Sequence, residues 1–194
     1  MKSYFQKICN ALNYTSSQNE FEVLDIRYKS KDLQRIKQLM YITLFEDLHY
    51  QIADVAYNCY DICTLLYQKL AGEPLLLTGG NILINNEISY NTTTKYLKEL
   101  YARNNNIQSP MHVWFTLGEY IIDPTILSTL LYCKEINTYK LIDDDILRSN
   151  YLIAHTSIHG SIQYFSKIKL SYDPLIIGER YFLETGFIKK SIEL

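Results

Sequence analysis

Apolar residues recur with helical spacing in the first third of the chain. Over residues 31–47 they fall roughly in phase on one helical face, which predicts a helix there: Leu33, Ile36, Leu39, Met40 and Leu44. A short amphipathic helix is predicted over 1–13, and a second helical stretch near 50–57. Residues 15–20 are polar and are predicted to form a loop between these elements.

A further helix is predicted to begin at residue 59. Asn58 is a suitable N-cap, and Asp61 stands three residues later, which approximates a capping box. The helix should run to about Ala71 and end at Gly72, with Pro74 just beyond it. Its apolar face follows the i, i+3, i+4, i+7 pattern: Cys59, Ile62, Cys63, Leu66 and Leu70.

The pattern changes to short strands after residue 75. Over 75–90, apolar runs are broken by Gly79-Gly80 and Asn85-Asn86, which predicts strands or a hairpin. We predict a helix over 92–103, a β-hairpin over 111–123 and a strand over 161–172. The acidic run 143–145 is a candidate cap for a short helix. Helices followed by mixed strands and helices predict an α+β fold.

Composition and charge exclude several classes of function. The chain has 194 residues, 47% of them hydrophobic, which suits one domain with a sizeable core. A net charge of −2 without a cluster of Lys and Arg argues against nucleic-acid binding. The chain contains no run of about 18 apolar residues, so we expect no membrane span, and no signal peptide is recognisable. We therefore expect free thiols and a cytoplasmic protein, or an effector exported without a classical signal peptide.

Cys59 is the first candidate for chemistry, because it opens its predicted helix. The unpaired N–H groups of a helix N-terminus favour a thiolate, which is the nucleophilic form of cysteine. Asp61 opposes this effect, because a nearby carboxylate disfavours a second negative charge. The alternative is a small buried apolar residue. We assign that role to Cys63, one turn further along.

A histidine and an aspartate are predicted to meet on the hairpin of 112–125, HVWFTLGEYIIDPT. Gly118-Glu119 can form its two-residue turn, which pairs Leu117 with Tyr120. In that register His112 and Asp123 are diagonal neighbours on one face, within reach of each other. The carboxylate would orient the imidazole and stabilise its charged form. The alternatives are a structural strand histidine and an Asp-Pro turn.

These three segments together resemble the transglutaminase-like superfamily. The matching pieces are CYDICTLLYQKLAGEP at 59–74, HVW at 112–114 and IDPT at 122–125, about a third of the chain. The resemblance implies one domain over 1–194, with a papain-like, transglutaminase-like core over 58–126. In that core the nucleophile opens a central helix packed on an antiparallel sheet that carries the His and the Asp. A helical part over 1–57 and an α/β part over 127–194 would flank it.

The resemblance also implies an activity. Cys59, His112 and Asp123 would form a catalytic triad that transfers the acyl group of an amide to water or to an amine. This describes a protease, a glutamine deamidase or a transglutaminase, acting on protein or peptide without cofactor or metal. Gln51 and Asn58 are candidates for an oxyanion-hole side chain. Trp114 and Tyr60 are candidates for the substrate pocket.

Two other classes of function compete with this interpretation. One is a catalytically silent binding module of the same fold. The other is a structural metal site formed by Cys59, Cys63 and His112, although a fourth ligand is lacking. His155 and His159 are four residues apart, as metal ligands on a helix are, but no acidic partner stands at a suitable spacing.

Overall fold

A computed structural model describes residues 4–14, 30–103, 110–118, 120–132, 152–157, 162–164 and 168–185. The predicted loop over 15–20, the acidic run 143–145 and His159 lie outside these residues. In the described part of the chain, no helix combines the length and apolar character needed to cross a membrane.

The first five helices of the described residues agree with those predicted from apolar spacing, and the last two were not predicted. They are α1 (Tyr4–Asn10), α2 (Ser30–Tyr41), α3 (Ile52–Val55), α4 (Cys59–Lys69), α5 (Thr94–Arg103), α6 (Ile126–Tyr132) and α7 (Glu179–Glu184). A π-helical segment, Ile42–Asp47, continues α2 and completes the helix predicted over 31–47. The predicted N-terminal helix is shorter than expected, because the chain forms a strand immediately after Ala11.

The strands build an eight-stranded mixed sheet. They are β1 (Leu12–Asn13), β2 (Leu76–Ile84), β3 (Glu87–Ile88), β4 (His112–Leu117), β5 (Tyr120–Asp123), β6 (Ala154–Ser157), β7 (Ile162–Tyr164) and β8 (Ile168–Ile177). Their order is β1-β8-β2-β4-β5-β6, with β3 beside β2 and β7 beside β8. The pair β1–β8 is parallel and the other pairs are antiparallel. The α+β class is confirmed, with a mixed sheet in place of the antiparallel one predicted.

The sheet separates two hydrophobic cores, because alternate residues of each strand point to opposite faces. Val113 and Phe115 of β4 contribute to the core that contains α2 and α4. Trp114 of the same strand contributes to the core that contains α1 and α6. Cys59 and Cys63 belong to the first core, and Cys63 on α4 donates its thiol proton to the Val113 carbonyl over 3.3 Å.

Two predictions for the strands were wrong. The single strand expected over 161–172 is two antiparallel strands, β7 and β8, and β8 continues to Ile177. The Gly79-Gly80 pair does not end a strand either. It lies inside β2, where the pairing with β8 shifts register between the two glycines. A β-bulge tolerates glycine where backbones approach closely, whereas the Asn85-Asn86 turn does end the strand.

Gly80→Ala is expected to destabilise the fold by about 3 kcal/mol. A Cβ at this position would lie 2.2 Å from the Asp173 carbonyl oxygen, and the neighbouring atoms belong to the backbone of β8. Urea unfolding of the variant would measure the loss. Gly72→Ala is the matched control, because nothing lies within 4 Å of its Cβ. Equal stability of the two variants would contradict the expectation.

Candidate active site

Cys59 is the first residue of α4, as the sequence predicts, and only 4% of it is exposed. Asn58 precedes it at the N-cap position, but its side chain makes no capping hydrogen bond. The Asn58 amide instead donates to the Asp54 carbonyl over 2.7 Å. The predicted capping interaction at this helix start is therefore wrong, and the first-turn N–H groups next to Cys59 are not capped by Asn58.

The hairpin has the register that its turn predicts. Leu117 pairs with Tyr120 and Phe115 with Ile122, so Trp114 stands opposite Asp123. Gly118 adopts a φ of 52°, in the left-handed region that glycine occupies without strain. His112 and Asp123 are thus diagonal neighbours, and 2.7 Å separates Nε2 of the imidazole from Oδ2 of the carboxylate. The predicted His–Asp pair is confirmed as a contact.

Asp123 is fully buried, and both of its oxygens accept hydrogen bonds. Oδ2 accepts from His112 and from the Tyr172 hydroxyl, 3.0 Å away. Oδ1 accepts from the Thr125 N–H, the Thr125 hydroxyl and the Ile126 N–H, at 3.0, 3.3 and 3.0 Å. Because Ile126 begins α6, one carboxylate both holds the imidazole and caps a helix.

The electrostatics of the pair favour its charged form. Burial is the largest single influence and lowers the pKa of His112, but the charges of Asp123 and Cys59 and the side-chain hydrogen bonds together outweigh it, so the pKa rises to about 10. Burial would likewise raise the pKa of Asp123, but the imidazolium and the N–H donors lower it. At neutral pH the two groups therefore form a buried imidazolium–carboxylate pair.

Cys59 lies close to the imidazole. Its charge and its side chain both contribute to the raised pKa of His112, which requires the thiol to be near the ring. Nε2 is bonded to Asp123, and Nδ1 is buried without a hydrogen bond of normal geometry among the described residues. Nδ1 is consequently the nitrogen that can exchange a proton with Cys59. The three residues predicted to form a triad are brought together.

Cys63 has a different environment, although it lies one turn away on the same helix. It is fully buried and donates to the Val113 carbonyl. Burial, with the charges of Cys59 and Asp123, raises its pKa well above the usual thiol value. Its thiol therefore stays protonated, in agreement with the prediction that it belongs to the core.

The two oxyanion-hole candidates are exposed amides on the turns around α3. Gln51 donates its side-chain N–H to the His49 carbonyl over 3.3 Å, and Asn58 donates to Asp54. Each amide keeps a second N–H for another acceptor. Asn58 is directly next to Cys59 in the chain, and the choice between the two side chains stays a prediction.

The two pocket candidates differ in accessibility. Trp114 is completely buried, its indole N–H donates to the Tyr4 hydroxyl over 2.9 Å, and its ring stacks near His112. That environment makes Trp114 a core residue that supports the histidine, which corrects its assignment to a substrate pocket. Tyr60 is partly buried against the core that contains α4, and its pocket role stays a prediction.

Tyr172 and Tyr90 are the site residues that the sequence did not reveal. Tyr172 donates to Asp123 from β8, and the alternating pattern of 161–172 gave no sign of that partner. Tyr90 lies with its ring centroid 5.3 Å from that of His112. Both are distant in sequence from the residues they contact, so local spacing carries no signal for them.

Metal binding receives no support from the described residues. Among them, no group of three or more His, Cys, Asp or Glu side chains is arranged to hold an ion. Nε2 of His112 is bonded to Asp123 and the Cys63 thiol to a carbonyl, so two groups of the alternative Cys59, Cys63 and His112 set already have partners. His155 lies in β6, and burial together with the charge of Lys37 lowers its pKa to about 4.

Tyr172→Phe is expected to lower the free energy of unfolding by about 1.5–3 kcal/mol. The change removes a buried donor from an ionised carboxylate, while the ring and its packing remain. Urea unfolding would measure the loss. Tyr96→Phe, at an exposed tyrosine of α5, is the matched control and should have no effect. An equally small change in both variants would show that the Tyr172 bond is dispensable.

Comparison with known protein families, curated proteins and solved structures gives no match to this chain. Its function therefore has to be inferred from the geometry and chemistry of the site itself.

Proposed function

We propose that this chain is a cysteine-dependent acyl-transfer enzyme of the transglutaminase-like type, acting on amide bonds of proteins or peptides. The observation that carries the proposal is the bridging position of His112. Its Nε2 is held by a buried carboxylate, the Cys59 thiol is near the ring, and Nδ1 is the nitrogen left to face that thiol. A nucleophile, a base and a group that orients the base are the minimum set for nucleophilic catalysis.

The arrangement of elements also supports a papain-like core. The nucleophile opens a helix, α4, that packs on the strand carrying the histidine, and the next strand carries the aspartate. The three motifs at 59–74, 112–114 and 122–125 occur in that order on those elements. Since fold alone does not determine activity, the proposal depends on the side-chain contacts rather than on this likeness.

The first half of the reaction forms a thioester. Cys59 Sγ, whose proton already lies on Nδ1 of the His112 imidazolium, attacks the amide carbonyl carbon as a thiolate, and the carbonyl electron pair moves onto oxygen. When the oxyanion reforms the carbonyl, the C–N bond breaks and the leaving nitrogen takes the proton from Nδ1. The Cys59 N–H, in the first turn of α4, can donate to the oxyanion.

The second half releases the acyl group. Water or an amine attacks the thioester carbon and gives a proton to Nδ1, after which the C–S bond breaks and the sulfur leaves as the thiolate, which restores the starting pair with the imidazolium. Water yields hydrolysis or deamidation, and an amine yields a cross-link. Asp123 keeps Nε2 in place through both halves and stabilises the imidazolium that carries the transferred proton.

The proposal is tested by acetylating the protein with p-nitrophenyl acetate and mapping the adduct by mass spectrometry. We expect a hydroxylamine-sensitive acetyl thioester on Cys59, absent in Cys59→Ala. The rate of its formation should fall roughly a hundredfold in His112→Gln. Cys63→Ser is the matched control and should react as the wild type does. Ammonia release from a glutaminyl peptide, with and without a primary amine, then separates deamidation from cross-linking.

A protein that forms no thioester under these conditions would be the silent binding module of the same fold. That outcome would overturn the enzymatic proposal, because the nucleophile would then have no measurable acyl-transfer chemistry. Acetylation at Cys9, which is exposed, would serve as the internal reference for an ordinary thiol.

A further inference from the structure

Two exposed tyrosines stand together beside the nucleophile. Tyr57 is 56% exposed and Tyr132 is 50% exposed. Their rings meet edge to face, with centroids 6.4 Å apart and an interplanar angle of 82°. Large aromatic side chains with half of their surface in water are candidates for contact with a ligand.

Tyr57 precedes Cys59 by only two residues. Two residues of chain span at most about 7 Å, so the backbone of Tyr57 lies within about two substrate residues of the nucleophile. Consecutive residues of an extended peptide are spaced by about 3.3 Å. A peptide that presents an amide to Cys59 would therefore bring a neighbouring side chain to Tyr57.

The backbone of Tyr57 is strained. Its φ is 62°, in the left-handed region that a residue with a bulky side chain rarely adopts. Glycine would adopt this conformation without cost, and an exposed ring adds little to the core. Strain of this kind is typical of functional sites, where the surrounding structure holds it in place.

A chain of hydrogen bonds fixes Tyr57 to the triad. Thr125 donates to Asp123, the Thr129 hydroxyl donates to the Thr125 carbonyl over 3.0 Å, and the Tyr57 N–H donates to that hydroxyl over 3.0 Å. Thr125 precedes α6 and Thr129 lies on it, and Tyr132 is the last residue of the same helix. Both tyrosines are thus positioned by the helix that the catalytic carboxylate caps.

We infer that Tyr57 and Tyr132 form a subsite for a large apolar side chain, aromatic or long aliphatic, of an extended peptide substrate. This inference rests on the proposed function and names its substrate class. The two rings offer an apolar surface with hydroxyl groups at its edge, which suits a Phe or Leu side chain with its peptide backbone alongside. The subsite selects a residue within about two positions of the amide that Cys59 attacks.

The test compares two substrates in the same protein. One is a library of fluorogenic peptide amides in which each position near the reacting carbonyl is varied. The other is p-nitrophenyl acetate, which reaches Cys59 without a side chain. We expect the protein to cleave most rapidly those peptides of the library that carry Phe or Leu at one position. Tyr57→Ala and Tyr132→Ala should each lower the ratio of peptide to acetate kcat/KM by roughly tenfold.

Two further variants separate binding from folding. Tyr57→Gly removes the ring and the backbone strain together, so it should keep or raise the Tm while the same ratio falls. Tyr57→Phe retains the ring and should restore selection of Phe or Leu. Tyr96→Ala, at another exposed tyrosine, is the matched control and should leave the ratio unchanged.

Each contrary outcome has a distinct meaning. Absence of acetyl transfer overturns the proposed function and, with it, this inference. Acetyl transfer with no turnover of any peptide overturns the substrate class alone. Selection of a charged residue, or a ratio that is unchanged in both alanine variants, overturns the subsite while the enzymatic proposal stands.

Discussion

Replacing His112 by Gln is expected to slow alkylation of Cys59 by iodoacetamide roughly a hundredfold at pH 7. His112 holds the thiol proton as an imidazolium beside the sulfur, and a positioned acid–base group of this kind contributes a factor of roughly 10²–10⁴. The contact that motivates the expectation is the coupling between Cys59 and His112, whose ring is held by Asp123. Alkylation would be followed peptide by peptide with mass spectrometry, from pH 5 to pH 10.

The chain supplies its own reference thiols for this measurement. Cys9 is exposed, whereas Cys63 is buried with a raised pKa and should stay unmodified in the folded protein. Glutamine preserves much of the histidine's volume, and a circular dichroism spectrum would verify the fold. Cys63→Ser should leave the dependence of the Cys59 alkylation rate on pH unchanged. A Cys59 rate that does not exceed that of Cys9, or that is the same in His112→Gln, would refute the Cys–His pair.

The parts of the site that sequence could predict are those set by local rules. Gly118 occupies a turn position that requires a positive φ, and this determines the hairpin register. That register in turn makes His112 and Asp123 diagonal neighbours. Likewise, the apolar spacing that begins at Cys59 is sufficient to predict where α4 starts. Each of these inferences involves residues within about a dozen positions of one another.

Contacts between distant parts of the chain could not be predicted in the same way. Tyr172 reaches Asp123 from a strand 49 residues later, and the pairing of β8 with β2 exists only in the folded sheet. The burial of Trp114 also depends on a distant part of the chain. The alternation of side chains along β4 predicts the face of the sheet on which Trp114 lies, but it does not predict that Tyr4 of α1 covers that face. Helix α6 was not predicted, and its cap is Asp123, which the sequence assigned to the histidine or to an Asp-Pro turn.

Asp123 therefore links the chemistry of the site to the stability of the fold. Its Oδ2 accepts hydrogen bonds from His112 and Tyr172, and its Oδ1 accepts from the N–H of the first residue of α6. Thr129 of that helix accepts a hydrogen bond from the Tyr57 N–H. A change at this carboxylate should consequently affect catalysis, substrate contact and folding together. Most surface substitutions, by contrast, change stability by less than about 0.5 kcal/mol.

Asp123→Ala is expected to lower the free energy of unfolding at pH 6 by about 3–5 kcal/mol. It leaves the buried His112 and the N–H groups at the start of α6 without their acceptor, and breaking a buried ion pair from one side has a cost of this size. Asp123→Asn keeps one oxygen that can accept from Thr125 and Ile126, although it replaces the Oδ2 acceptor by an amide N–H donor, so its loss should be smaller than that of Asp123→Ala. Urea unfolding of both variants beside the wild type would measure the difference.

The difference in stability between wild type and Asp123→Asn should also depend on pH in a defined way. The pKa of Asp123 is lowered in the folded protein, so its contribution is present above about pH 4 and is lost as the pH falls through the folded pKa. The pKa of His112 is raised from 6.5 to about 10, so its contribution is complete below pH 6.5 and is lost as the pH rises through 10.

The free energy of unfolding of the wild type should therefore exceed that of Asp123→Asn by the largest amount between about pH 4 and pH 6.5. In this range both groups are charged in the folded and the unfolded chain. Toward pH 10 the excess should shrink, because folded His112 releases the proton that Asp123 helps to hold. Toward pH 2 it should shrink again as the carboxylate is protonated. An excess that stays constant from pH 4 to pH 10 would mean that His112 and Asp123 are paired as neutral groups, which would remove the electrostatic basis of the triad.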